Sequence, residues 1–110
     1  MRPRILRFLT TGIFLCSLLS TAMQAQSEAA VTYKTNCALC HGADGSGNTG
    51  TGKALHAQDL RSNDTQKQTD AALDEVISKG RGKMPAFGAK IKPDAIQQLV
   101  AYIRTLPTKN

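Results

Sequence analysis

Five consecutive residues constrain this chain most: Cys37, Ala38, Leu39, Cys40 and His41. On a helix, positions i and i+3 lie on one side, so the two thiols face the same way. His41 is four residues after Cys37 and projects from that side too. Two thiols and an imidazole at this spacing suit a ligand held by one edge, a structural metal, a disulfide or a thiol redox pair. The rest of the chain must decide among them.

The first 25 residues read as a leader rather than as part of a domain. Arg2, Arg4 and Arg7 form a basic start, Phe8 to Leu19 is largely apolar, and Ser20, Thr21, Ala22 and Ala25 follow as small or polar residues. This is the layout of a secretory signal peptide, with Ala25 the preferred cleavage point and Ala22 the other. An uncleaved anchor would need about 20 apolar residues. A lipid-modified Cys16 would want a small residue before it, where Leu15 stands. Cys16 is therefore expected to leave with the leader. Residues 26–110 are then the domain, with 11 Lys and Arg against 8 Asp and Glu, a formal charge of +3. That charge, with no basic run and no interleaved aromatics, argues against nucleic-acid binding. Export places the domain in the periplasm or an equivalent compartment.

Beyond the leader only Tyr33, Phe87 and Tyr102 are aromatic. So small a domain, so poor in large side chains, has trouble filling a core. A single disulfide helps little; a large apolar cofactor would help more.

Periodicity predicts an all-α domain of three main helices and long loops. Ser27 reads as an N-cap for a helix over residues 28–40, with Ala30, Tyr33 and Cys37 on one face. Residues 42–52 include five Gly and read as loop; residues 53–63, with Leu55 and Leu60, read as irregular chain wrapped on something. Thr69 caps a second helix carrying Leu73, Val76 and Ile77, with Lys79 in its last turn and Gly80 beyond. Arg81 to Gly88 is a second loop. Pro93 opens a third helix with Ile96, Leu99, Val100 and Ile103 at i, i+3, i+4 and i+7, and Pro107 stops it.

In an exported all-α chain, Cys-x-x-Cys-His is read as the attachment sequence for haem c. Cys37 and Cys40 reach two vinyl groups on one porphyrin edge, and His41 reaches the iron below that edge. The βαβ pattern beside a thioredoxin-like pair is missing. A zinc site would have to recruit His56 at a poor spacing. The second axial ligand is sought among Met84 and His56. Met84 sits in a Gly- and Pro-punctuated loop with no helical face to pack on, and a thioether suits haem iron. His56 reads as a surface residue, and core filling is the competing role for Met84.

Cys-x-x-Cys-His near the start, Gly-x-Met-Pro-x-Phe at Gly82 to Phe87, and Leu-Val-x-Tyr-Ile-Arg at Leu99 to Arg104 together resemble the class I cytochromes c, in particular small single-haem carriers. The likeness runs from Ala30 to Leu106. It implies a cytochrome c fold, one covalent haem c, thioethers at Cys37 and Cys40, His41 and Met84 as axial ligands, and Tyr33 and Tyr102 as helix aromatics. Three departures stand out. Ala30 replaces a Gly often found where the first and last helices cross. No Pro between Gly42 and Met84 supplies a carbonyl for the proximal His, so the 42–52 loop is expected to supply one. No Trp binds a propionate, for which Arg61 is a candidate.

The resemblance implies a non-enzymatic, monomeric electron carrier working between a redox donor and an acceptor, presumed membrane complexes, with no catalytic residue. Lys53, Lys79, Arg81 and Lys83 are candidates to ring the haem edge, against an ordinary solvated surface. Two other readings stay open: a haem-bearing subunit of a larger assembly, and a sensor or enzyme with a labile Met84. A chain ending at Asn110 without an anchor is expected of the free carrier.

Overall fold

The computed structural model describes residues 6–109, with side chains from residue 21 onward. Residues 1–5, which fall in the expected leader, and the side chain of Cys16 lie outside what is described. Six helices follow one another, and no strand is present among the described residues.

Helix α1 spans Leu6–Asn36. No Gly or Pro occurs from Ile13 to His41, so nothing interrupts the helix. This corrects the expected start at Ser27, which lies inside α1. The end is also earlier than residue 40. Thr32 and Thr35 hydroxyls bond back to the Glu28 and Val31 carbonyls, and Asn36 Nδ2 bonds to Thr32 O. Such back-bonding residues are poor helix continuers. Cys37 then widens to φ −116° at ψ −36°, and a separate turn, α2 (Ala38–His41), begins.

Helix α3 (Gly50–Leu55) and helix α4 (Asn63–Gln66) occupy chain expected to be loop and irregular segment. Both are too short for periodicity to show. Their caps are the readable trace: Thr49 accepts from Gly52 N at 2.8 Å, and Ser62 accepts from Thr65 N at 3.3 Å.

Helices α5 (Asp70–Lys79) and α6 (Pro93–Arg104) match expectation at both ends. Thr69 accepts from Ala72 N at 3.1 Å, and Gly80 closes α5 at φ +76°. Leu73, Ile77, Ile96, Leu99, Val100 and Ile103 are all buried with Tyr33 in one core. Each contributes on the order of 2 kcal/mol through burial. Helices α1 and α6 pack together, with the Tyr33 and Tyr102 rings tilted and 5.0 Å apart. The small residue buried in α1 is Ala29, 3% exposed, while Ala30 is only half-buried. Ala30 is thus not the close-contact position that the resemblance suggested.

Arg104, the last residue of the Leu-Val-x-Tyr-Ile-Arg run, ties the connector before α5 to α6. Its guanidinium donates to Gln66 O at 2.7 Å, to Gln68 O, and to Asp70 Oδ1 at 2.8 Å. Among the described residues, no helix is long and apolar enough to cross a membrane.

Candidate functional site

The helices enclose a cavity of about 540 Å³, within the range for bound cofactors. Cys37, Cys40 and His41 line one side of it, and Met84, Pro85 and Phe87 another. Leu73, Ile77, Leu99 and Ile103 form its apolar back wall. The four site residues named from the sequence therefore share one chamber.

The cysteines are positioned by the break after α1. The amides of Cys40 and His41 both bond to Cys37 O, at 3.2 and 2.9 Å, so the turn winds around Cys37. Both thiols are free. Burial, and to a lesser extent the neighbouring Cys40, push the Cys37 thiol up to about 11. A thiol redox pair needs the opposite, a lowered thiol pKa. Among the described residues no three His, Cys, Asp or Glu side chains gather to hold a metal ion, so His56 does not complete a zinc site.

His41 Nδ1 lies 2.9 Å from Gln58 O. A carbonyl only accepts, so Nδ1 carries the proton and Nε2 keeps its lone pair for a metal. The acceptor is thus Gln58, outside the 42–52 loop that was expected to supply it. That loop has a different task. Gly47 N donates to His41 O at 2.7 Å, and Gly52 sits so close to the Cys40 carbonyl that no Cβ fits. Tyr33 OH donates to Gly42 O at 2.8 Å, fixing the residue after His41. Burial holds the Tyr33 hydroxyl far above its ordinary pKa, so it remains a donor.

Met84 is half-buried and held from three directions. Its amide donates to Arg81 O at 2.9 Å, and its carbonyl accepts from Arg81 N at 3.1 Å. Gly82 at φ +57° makes that tight turn possible. Farther on, Phe87 N donates to Ile77 O and Gly88 N to Ser78 O, which anchors the loop to the end of α5.

The donor set fits a haem c: two free thiols on one turn, a lone pair on His41 Nε2, a thioether in the same chamber and apolar walls. The rim differs from expectation. Arg81 and Lys83 line the cavity, as does Lys90, which the sequence did not single out; Lys53 and Lys79 do not. Lys79 is paired with Glu75 at 2.9 Å. Exposed His56 lines the mouth near Leu55, and Leu39 is 72% exposed beside it. Arg61, the candidate for a propionate, does not line the cavity; its fork grips Asp59 at 3.0 and 3.1 Å.

Comparison with known proteins agrees with this geometry. Residues 24–103 match the family model described as cytochrome c oxidase, cbb3-type, subunit III. Cytochrome c6 of Leptolyngbya boryana is 35% identical over 71 residues, covering 64% of this chain and 80% of that one. The cbb3-type cytochrome c oxidase subunit FixP of Azorhizobium caulinodans is 34% identical over 83 residues, covering 74% of this chain. The chain spans only 27% of that FixP subunit's length. The solved structure of the KustC0563 c-type cytochrome superposes with a TM-score of 0.67 at 29% identity, covering 73% of this chain and 98% of that one.

Proposed function

The chain belongs to the cytochrome c family, whose members carry covalently attached haem c, and on that premise we propose that it is an exported, freely diffusing one-electron carrier. When bound, the haem supplies the redox chemistry: its iron alternates between ferric and ferrous as one electron arrives from a donor and leaves to an acceptor.

The chain's residues set the terms of that exchange. Cys37 and Cys40 would hold the group through two thioethers, each S–H adding across one vinyl group. His41 would offer Nε2 to the iron, with its other nitrogen held by Gln58 O. Met84 would offer its thioether as a second ligand to the iron, and a Met ligand raises the potential. Leu73, Ile77, Leu99 and Ile103 exclude water, which also favours the less charged ferrous state. With His41 and Met84 both offered to the iron, a carrier would have no need of a substrate site, and we assign no catalytic residue.

Partners meet the exposed edge. Leu39 and Leu55 supply an apolar contact, while Arg81, Lys83 and Lys90 favour an acidic partner. Charges so placed speed encounter more than they tighten it. Residues 1–25 are removed on export in this reading, which frees Ser27 to cap the shortened α1. The observation that carries the whole reading is one chamber shared by Cys37, Cys40, His41 and Met84.

A second reading is supported by the similarity to FixP: a haem-bearing subunit of a larger assembly. Mass spectrometry and size-exclusion chromatography of protein exported from a cell that matures c-type cytochromes separate the two. The carrier reading expects residues 26–110 plus one covalent haem, running as a monomer. A haem lost on denaturation overturns the attachment, a retained leader overturns the processing, and a stable co-purifying oxidase complex favours the subunit.

A further inference from the structure

The Gln58 carbonyl faces His41 from a stretch without helix or strand, residues 57–59, and Gln58 itself is exposed. A contact that orients an axial ligand needs a rigid acceptor, and no Pro ring stiffens the backbone there. The rigidity has to come from neighbours.

Asp59 supplies it. The Gln58 carbonyl belongs to the peptide plane that ends at Asp59 N, so whatever fixes Asp59 aims that oxygen. The Asp59 carboxylate is gripped by the Arg61 fork, Nε to Oδ1 at 3.0 Å and Nη2 to Oδ2 at 3.1 Å. Arg61 N also donates to Oδ1 at 2.9 Å. The Asp59 carbonyl accepts from the hydroxyl of Thr65, a buried polar residue, at 3.2 Å. Arg61 reaches farther, with Nη1 3.7 Å from Asp44 Oδ2, and its carbonyl accepts from Lys109 N at 3.1 Å. On the other flank, Ala57 N donates to Gly52 O at 2.8 Å and Leu60 N to Gly45 O at 2.8 Å. A Cβ on Gly47 would meet Ala57 O at 2.7 Å, so the loop backbone lies directly against this strip.

We propose that the bidentate Asp59–Arg61 pair is a positioning device for the proximal ligand, holding the Gln58 carbonyl against His41 Nδ1–H and so tuning the electron donation of His41. This rests on His41 being an axial ligand. The direction of the effect follows. A firm acceptor at Nδ1 makes the imidazole a stronger donor, which favours ferric iron. Loosening the clamp weakens that donation and raises the potential.

The test uses the matured haem protein, labelled with ¹⁵N-histidine. Two quantities are read: solvent exchange of the His41 Nδ1 proton in the ferrous state, and the reduction potential. Asp59→Asn and Arg61→Gln should each speed exchange by about tenfold or more, the scale of one lost hydrogen bond, and shift the potential upward. Lys67→Gln, which breaks the exposed Lys67–Asp64 pair away from the cavity, should change neither. Arg61→Lys keeps the charge but not the fork, and should speed exchange as well. It is also the variant to use if Asp59→Asn does not fold. Wild-type exchange and potential in folded Asp59→Asn or Arg61→Lys overturn the proposal. A wild-type protein whose ferrous spectrum lacks a coordinated imidazole sinks the underlying ligand assignment instead, before any variant is made.

Discussion

Gly80 and Met84 meet main chain to main chain: a Cβ on Gly80 would lie 2.6 Å from the Met84 carbonyl oxygen. It would also lie 2.9 Å from Ala86 N and Pro85 C, and Gly80 has φ +76°. The residue that ends α5 is therefore also the floor under the methionine loop. Gly80→Ala combines a strained backbone with a main-chain clash. It should cost about 2–4 kcal/mol and displace Met84. Urea unfolding checks the first effect and carbon monoxide binding to the reduced protein checks the second.

Met84→Ala should leave the haem attached, since Cys37 and Cys40 are untouched. The reduction potential should fall and the ferrous protein should become able to bind carbon monoxide, because the second axial side chain is gone. An unchanged potential by protein-film voltammetry would sink the assignment of Met84.

Tyr33→Phe isolates one buried hydrogen bond. The ring keeps its tilted contact with Tyr102, but Gly42 O loses its partner at 2.8 Å. The expected destabilisation is about 1–2 kcal/mol, with the haem spectrum unchanged. Denaturant midpoints give the value.

Acid should loosen the Asp59 clamp. Its hydrogen bonds from the Arg61 side chain hold the Asp59 carboxyl below its ordinary value, against an opposing effect of burial. A carboxyl depressed in the folded state adds stability above its unfolded pKa, about 3.9. That contribution is lost as pH falls through the lower folded value. Urea midpoints from neutral pH down to about pH 3 should therefore fall less steeply in Asp59→Asn than in the wild type.

Much of the molecule was legible in its sequence, for physical reasons. Thr69, Gly80 and Pro93 mark helix ends through local chemistry, and Ile96, Leu99, Val100 and Ile103 fall on one buried stripe because they share one helix. That Cys37, Cys40, His41 and Met84 would gather in one cavity was legible because each is a side chain with distinctive chemistry. Gln58 was not, because its contribution is a main-chain carbonyl seventeen residues from His41, and any residue carries one. Arg61 read as a lone loop charge although Asp59 stands two residues before it; the fold closes that pair and brings Asp44 to it. Lys90 reaches the cavity mouth through the turn that seats Ile91 on Phe87 O, a long-range consequence of loop anchoring. Ser27 has the chemistry of a cap, yet it is overridden by uninterrupted helix formers before it.

The most direct test of the central claim is an optical spectrum of the matured protein, oxidised and reduced, then exposed to carbon monoxide. Axial ligation by His41 and Met84 predicts sharp reduced bands, a weak far-red sulfur-to-iron band in the oxidised protein, and no change with carbon monoxide. A carbon monoxide shift in the wild type, or no far-red band, would contradict it and turn the cavity into a ligand-binding site.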